Sequence, residues 1–304
     1  SLRSKRAPPV ASPTMPAAPD ATLAAKQAAL SAQLKSCGTL LVAFSGGIDS
    51  AYLAVAAVDA LGRDNVRAVL GVSTSLAREV HERARQLAAD FAVPFSEIAT
   101  HELDDANYVA NRGDRCFHCK QELWNRLVPY ALKAGLGTVA DGTILDDLGE
   151  HRPGRSAGAR AGVVSPLAEC GFTKRDVRDA ARERGIPIWD VPAAPCLASR
   201  LAVGITVTTE RLALVDRAES ALRALGIAGD LRVRHMGDAA RIELPAAELD
   251  LWKSVERRAQ LAAAVHAAGF NRVLFDRRGY RRGALQETHR NDPADVIDIT
   301  GNVM

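Results

Sequence analysis

Six consecutive residues, Ser45-Gly46-Gly47-Ile48-Asp49-Ser50, combine what a pyrophosphate cradle needs. Two glycines let the backbone turn tightly and approach an anion. Ser45 and Ser50 supply hydroxyl donors. Asp49 is a carboxylate where phosphate is expected, and its natural task there is to hold a Mg²⁺ ion that bridges to the phosphates. No Gly-Lys-Ser/Thr follows, so the string is not a Walker A loop. A weaker nucleotide element is Gly71-Val72-Ser73, which either sits beside adenine or ribose or is a plain strand end. Five cysteines are present: Cys37, Cys116, Cys119, Cys170 and Cys196. Cys116-Phe117-His118-Cys119 is a Cys-x-x-Cys, a pattern that serves zinc, an iron–sulfur cluster or a redox pair. His118 is read as an ordinary histidine, and Cys37 and Cys170 as buried inert thiols. With Cys196 the thiols number three, enough for a [4Fe–4S] cluster with one iron left open. Arg232 and Arg234 alternate on one strand and so share a face, where two guanidinium forks suit a phosphate or carboxylate; a solvated basic face is the plainer reading. Glu219 is a candidate for substrate or metal binding, and Arg200 for substrate binding or for capping a turn.

The elements around these residues set their positions. Thr39 to Phe44 is a continuous apolar run, as in a buried parallel strand, and the Gly-rich string follows it and opens a helix from about Ser50 to Leu61. A helix N-terminus offers free N–H groups and a favourable dipole to an anion. Val66 to Val72, Pro94 to Ala99 and Gly137 to Asp141 read as further strands. Ala21 to Lys35, Arg78 to Phe91, Gln121 to Ala134 and Thr173 to Arg184 read as helices, Thr173 being the N-cap of the last and Gly185 its stop. Alternating strands and helices give an α/β fold, a parallel sheet with helices on both faces. Asp147 to Gly162 is rich in Gly, Arg and Pro and reads as a loop, and Ile186 to Cys196 as an extended segment broken by prolines. From Thr208 the order is helix (Thr209 to Leu225), two strands (Leu231 to His235, Ala240 to Leu244), helix (Leu251 to Ala268) and strand (Arg272 to Asp276), a smaller α+β domain. The chain thus divides into a disordered tail over 1–20, a nucleotide domain over 21–200, an α+β domain over 201–287 for substrate binding or oligomerisation, and a loose tail over 288–304.

Composition narrows the class. The 304 residues are 47% hydrophobic and 25% charged, which are globular values, with only 5% aromatic. A net charge of +3 is too small to point to nucleic acid. No apolar run spans a membrane and the N-terminal segment lacks a secretory h-region, so the cytoplasm is expected. An odd number of cysteines argues against a disulfide framework.

SGGIDS resembles the signature of PP-loop enzymes, the adenine nucleotide alpha hydrolase-like superfamily that cleaves ATP between its α- and β-phosphates. Further strings occur in order: Arg115-Cys116-Phe117-His118-Cys119-Lys120, Asp141-Gly142-Thr143, Asp146-Asp147, His151-Arg152-Pro153-Gly154, Ser165-Pro166-Leu167, Trp189-Asp190, Pro195-Cys196-Leu197-Ala198-Ser199-Arg200, Arg232-Val233-Arg234-His235, Ala240-Arg241-Ile242-Glu243 and Gly279-Tyr280-Arg281. Together they resemble the LarE family of ATP-dependent sulfur transferases, over about residues 23 to 286. The resemblance implies sulfur insertion in nickel-pincer cofactor synthesis: ATP and Mg²⁺ adenylate a carboxylate of a pyridinium-3,5-biscarboxylate mononucleotide, pyrophosphate leaves, and a sulfur nucleophile attacks the acyl-adenylate. In one branch of the family the PCLASR cysteine, here Cys196, gives up its own sulfur. In another, three cysteines hold a [4Fe–4S] cluster that carries an extra sulfide, and Cys116 and Cys119 imply this branch. A homo-oligomer and an unidentified sulfur donor are also implied. The sequence departs from the family pattern at Ile144-Leu145 and at Asn111-Arg112-Gly113.

Two other functions fit parts of the pattern. A tRNA-thiolating PP-loop enzyme also combines SGG-x-DS with three cysteines, but needs a basic RNA-binding surface. The intact SGGIDS and Asp49 weigh against a non-catalytic nucleotide- or metal-binding module.

Overall fold

The structure is a computed structural model that describes residues 22–149, 153–191, 195–281 and 295–301. The tail over 1–20, His151, Arg152 and residues 282–294 lie outside the described residues. The chain opens with α1 (Leu23–Cys37), capped by the Thr22 hydroxyl, which accepts from Ala25 N. Then follow β1 (Leu40–Ala43), α2 (Ile48–Leu61), β2 (Val66–Val72), α3 (Arg78–Asp90) and β3 (Phe95–Ala99). A single turn of 3₁₀ helix (Glu102–Asp104), α4 (Ala106–Ala110) and α5 (Arg115–Lys133) lead to β4 (Thr138–Ala140). The four strands pair in parallel in the order β3-β2-β1-β4.

The apolar run at β1 works because the sheet is buried on both faces. Successive side chains of a strand point to opposite faces. Leu40 and Val42 accordingly enter the core shared with α1, α2 and the later helix carrying Val177. Leu41 points the other way, with Val69 and Val139, against Trp124 and Leu127 of α5. The expected α/β sheet with helices on both faces is what forms.

Four short helices follow: α6 (Leu145–Leu148), α7 (Pro153–Arg160), α8 (Pro166–Glu169) and α9 (Lys174–Glu183). The first two correct the loop expected over Asp147 to Gly162. Pro153 begins a helix well because its fixed φ suits a first turn. Ala157 of α7 is buried with Trp124, and a Cβ on Gly158 would lie 3.4 Å from the Trp124 ring nitrogen. Packing on α5 therefore overrides a composition poor in helix formers.

The second sheet consists of β5 (Arg232–His235), β6 (Ala239–Glu243), β7 (Arg272–Asp276) and β8 (Val296–Asp298), paired in that order. β6–β7 is parallel and the other two pairs are antiparallel. Its core is shared with α10 (Thr209–Ala224) and α11 (Val255–Ala267). α11 starts four residues later than expected: Ser254 caps it, and Ala246–Trp252 before it is 3₁₀. Strand β8 lies inside the stretch expected to be a loose tail, and buried Ile299 joins the core behind it.

Two pieces of the first half belong to this second core. Tyr108 of α4, and Leu197 and Ala198 of the PCLASR string, pack among its side chains. Leu201 then forms a parallel bridge to His235. The string around Cys196 thus lies between the two sheets.

Candidate active site

The carboxyl ends of the parallel strands deliver the site, as expected for an open sheet. After β1 the chain turns through Gly46, whose φ of +70° is left-handed. A Cβ there would come within 2.9 Å of Ala84 Cβ in α3, so glycine is required for conformation and for space. Ser50 Oγ accepts from Ser45 N at 3.1 Å and donates to Gly47 O at 3.0 Å. The Ser45 and Ser50 hydroxyls lie 3.1 Å apart. The N-cap of α2 is Gly47, with no side-chain cap, so the first-turn N–H groups of this 14-residue helix stay available to an anion. Ser45, Gly46, Gly47, Asp49 and Ser50 are thereby gathered into one concave turn.

The loop after β4 closes on this turn. A Cβ on Gly142 would stand 2.8 Å from Ser50 N and 3.1 Å from Asp49 C. Asp141 holds the loop by accepting from Thr143 N at 3.1 Å and Ser165 Oγ at 2.8 Å. Lys174, the first residue of α9, places Nζ 2.8 Å from both carboxylate oxygens of Asp49. Burial raises the Asp49 pKa above the ordinary carboxylate value and Lys174 opposes the rise. A Mg²⁺ ion at Asp49 fits this donor set: a carboxylate at the mouth of an anion cradle, already satisfied by a cation. The sequence reading used Thr173 as a cap and passed over Lys174, because nothing local links it to Asp49, 125 residues away.

At the end of β2, the Ser73 hydroxyl donates to Glu102 Oε1 at 2.5 Å and accepts from Ser75 N at 3.2 Å. Ser75 Oγ meets Tyr108 OH at 2.6 Å, and Ser75 O accepts from Leu197 N at 2.8 Å. The strand end is thus tied to the PCLASR string.

Cys116 and Cys119 lie in the first turns of α5, which begins at Arg115 and not near Gln121. Asn111 explains both that early start and one departure from the family pattern. It sits left-handed at φ 50°, buried, accepts from Arg115 and donates to Ala202 O and Ile205 O at 2.9 and 3.0 Å. It therefore pins the chain leaving Cys196 to the turn that presents Cys116. At Ile144, the other departure, the side chain is buried in the core. Burial pushes the Cys119 thiol up to about 12, with Cys196 and Glu102 adding to the rise. Cys116 is raised by desolvation and then by Cys196, although the residue as a whole remains exposed at the surface. Cys196 thus acts on both Cys116 and Cys119. Among the described residues no group of three or more His, Cys, Asp or Glu side chains is drawn together tightly enough to hold a metal ion. The donor types fit an iron–sulfur cluster; closing the thiols onto one requires them to move together. Cys170 is buried and bonded to Gln33, and Cys37 also bonds Gln33, both away from this trio.

Arg200 is 4% exposed and bonds Glu219 through two nitrogens, both at 2.9 Å. It also donates to the carbonyls of Pro195 and Cys196. Glu219 in turn accepts from Val233 N at 3.0 Å. In this arrangement the pair is a clamp that fixes the backbone of Cys196 to β5. Arg234 bonds Glu243 at 2.9 Å, and Arg241 bonds the other oxygen of Glu243 at 2.9 Å. Arg232 and Arg234 both approach the ring of Tyr280, at 4.7 and 6.0 Å from its centroid. The two arginines share a face as alternation on β5 requires, and the face is buried rather than solvated.

Comparisons with known proteins bear on this arrangement. A family model described as NAD synthase matches residues 23–122. An uncharacterised protein of Synechocystis is 40% identical over 81% of this chain and 91% of its own length. The pyridinium-3,5-bisthiocarboxylic acid mononucleotide synthase of Lactiplantibacillus plantarum is 37% identical over 88% of this chain and 96% of its own length. An uncharacterised protein of Methanocaldococcus jannaschii is 28% identical over 80% of this chain and 90% of its own.

Proposed function

Since the chain belongs to the LarE family of ATP-using, sulfur-transferring enzymes, we propose that it inserts sulfur into a carboxylate of pyridinium-3,5-biscarboxylic acid mononucleotide, and that Cys196 stands where the sulfur is delivered. The observation that carries this reading is the position of Cys196: its string hydrogen-bonds to the loop after β2 of the nucleotide sheet and is clamped by Arg200 to β5 of the second sheet. An activated acyl group made at one sheet and a substrate held at the other would meet there.

Each residue then has a task. Backbone N–H groups of the Ser45–Ser50 turn and the Ser45 and Ser50 hydroxyls would bind the leaving pyrophosphate. Asp49 would hold Mg²⁺, which neutralises charge building on the phosphates. Lys174, beside Asp49, would reach a phosphate oxygen. Gly71 to Ser73 lines the nucleotide side. Arg232 and Arg234 would bind the substrate's phosphate or second carboxylate, and Arg200 and Glu219 would hold Cys196 and the substrate-facing loop in place. A poor acyl donor becomes a good one on adenylation, after which a thiolate or sulfide displaces AMP. Cys116, Cys119 and Cys196 would hold a [4Fe–4S] cluster, which supplies an open iron able to carry the sulfide to be transferred. The segment over 201–287 is the expected substrate-binding and oligomerisation domain.

Cys196→Ala separates the two half-reactions. Pyrophosphate release that depends on the pyridinium substrate should persist in it, and thiocarboxylate should disappear. Thiocarboxylate formation at the wild-type level in this variant would overturn the assignment.

A further inference from the structure

On the His118 side of α5 lies a cavity of ≈ 270 Å³ that the reaction above does not use. Its lining includes Glu102, Asp104, Asp105, His118, Glu122 and Arg126. His118 is the residue between the two cysteines of the Cys-x-x-Cys. A cavity of ≈ 320 Å³ elsewhere, beside Arg63, Arg85 and Phe95, offers no carboxylate, thiol or hydroxyl side chain. The acidic cavity does, and one of its groups is unmet.

Glu102 is 3% exposed, and Oε1 accepts from Ser73. Oε2 is buried with no hydrogen-bond partner in the protein. A buried acceptor left alone is costly, and few such groups occur in native proteins. Two other acids of the lining are engaged, and Asp104 is exposed to solvent. Asp105 accepts from Asn107 N and meets His118 Nδ1 at 2.8 Å, and Glu122 accepts from His101 N and Arg126 Nε. Glu102 Oε2 therefore calls for a donor from outside the chain, and the acidic surroundings favour a cationic one. With Asp105 and Glu122 spent on protein donors, the cavity keeps too few free carboxylates to ring a metal ion with oxygens, which makes an organic ammonium the fitting cation. Arg126, with Nε spent on Glu122, brings a guanidinium to the same cavity and suits a carboxylate. The volume lies just below the ~300–1,000 Å³ of ordinary ligand pockets, so the ligand is small.

We propose that this cavity binds a small sulfur-bearing α-amino acid, its ammonium group on Glu102 Oε2 and its carboxylate on Arg126. The zwitterion recognition stands on the cavity alone; the choice of a sulfur-bearing ligand rests on the sulfur-transfer reading, since His118 of the lining adjoins Cys119 in the chain and Glu102 acts on the Cys119 thiol. In the persulfide form of such a ligand the outer sulfur is the atom passed on. In protein without a cluster, the Cys119 thiolate attacks it, a new S–S bond forms as the ligand's own S–S bond breaks, and the electron pair leaves on the ligand's inner sulfur as a thiolate. No oxidant or reductant is consumed.

The test is calorimetric binding of L-cysteine to the reduced protein, with 3-mercaptopropionate, which lacks the ammonium group, and cysteamine, which lacks the carboxylate, as probes. Saturable cysteine binding is expected, with 3-mercaptopropionate silent. Glu102→Gln keeps the acceptor for Ser73 and should weaken cysteine by about tenfold or more, the loss of one charge-assisted hydrogen bond. Arg126→Gln, at a more exposed position, should weaken cysteine but leave cysteamine binding unchanged. No saturable cysteine binding, equal binding of 3-mercaptopropionate, or unchanged affinity in both variants overturns the proposal. Pyrophosphate release with the pyridinium substrate, assayed in parallel on the wild type, reports separately on the reaction: its absence beside intact cysteine binding would sink the sulfur-transfer reading and leave the amino-acid site standing.

Discussion

Gly142 is the sharpest place to perturb the nucleotide cradle without touching a functional group. Its missing side chain leaves room for the backbone of the turn that would bind pyrophosphate. In Gly142→Ala the new Cβ would lie 2.8 Å from Ser50 N and 3.1 Å from Ser50 Cα. Comfortable contact begins at about 3.5 Å, so the turn must retreat by roughly 0.7 Å. Both contacts are backbone atoms at the start of α2, which cannot swing aside as a long side chain would. Overpacking of this kind costs about 1–3 kcal/mol, a fraction of the ~5–15 kcal/mol of a stable domain. The variant should fold. Catalysis should suffer more, because misplacement by about 1 Å costs on the order of 10²-fold. We expect kcat/KM for pyrophosphate release to fall by roughly 10- to 100-fold. Gly38→Ala is the control. Gly38 also has a positive φ, of +70°, but nothing lies within 4 Å of its Cβ position. It should cost about 1–3 kcal/mol of backbone strain and leave turnover alone. A Gly142→Ala enzyme within twofold of wild type would refute the reasoning that this loop closes on the cradle.

Other outcomes follow from the same geometry. Lys174→Met leaves the half-buried Asp49 carboxylate without its cation, so pyrophosphate release should fall and depend more steeply on Mg²⁺; an unchanged Mg²⁺ titration would contradict the pairing. Arg200→Ala strands Glu219 as a buried charge and frees the Cys196 backbone, so it should destabilise the protein by about 3–5 kcal/mol in denaturant unfolding; a loss under about 1 kcal/mol, the worth of a surface pair, would show that the clamp is not formed. Iron and acid-labile sulfide on anaerobically purified protein should be present and be lost on changing any one of Cys116, Cys119 or Cys196; retention in all three variants would remove these thiols from the site. Glu97 is held down to about 2 by Arg85, its largest influence, with His81 adding. A lowered carboxylate stabilises the fold above its unfolded pKa of about 4.3 and loses that contribution as pH falls through the folded value. The wild-type advantage in Tm over Glu97→Gln should therefore hold above about pH 4.5 and shrink toward pH 2; an advantage that grows on acidification would contradict the sign.

The parts of the molecule that could be read from sequence are those whose signal is local. β1 was legible because a strand buried on both faces needs an unbroken apolar run, and the cradle because Gly46, Gly47, Asp49 and Ser50 are contiguous. β2 and β7 appear with the bounds expected. Elements whose stability comes from distant partners were harder to see. α7 forms on Trp124 despite its glycines, and β8 is a three-residue strand that needs β7 beside it. Site residues divide in the same way. Lys174 and Asp49 meet across the sheet edge, and Glu102 reaches Ser73 from the neighbouring strand end. No spacing rule connects such pairs. Arg232 and Arg234 were legible as one face by alternation, yet Tyr280 on that face and Glu243 behind it come from other strands and loops.

The central claim is ATP-dependent delivery of sulfur to a carboxylate, and one measurement meets it directly: mass spectrometry of pyridinium-3,5-biscarboxylic acid mononucleotide after anaerobic incubation with the protein, ATP and Mg²⁺, with AMP and pyrophosphate measured in the same mixture. The account predicts AMP, pyrophosphate and a substrate in which a carboxylate oxygen has been replaced by sulfur, all three dependent on the mononucleotide. Freshly prepared, anaerobically handled protein that yields none of them would contradict it.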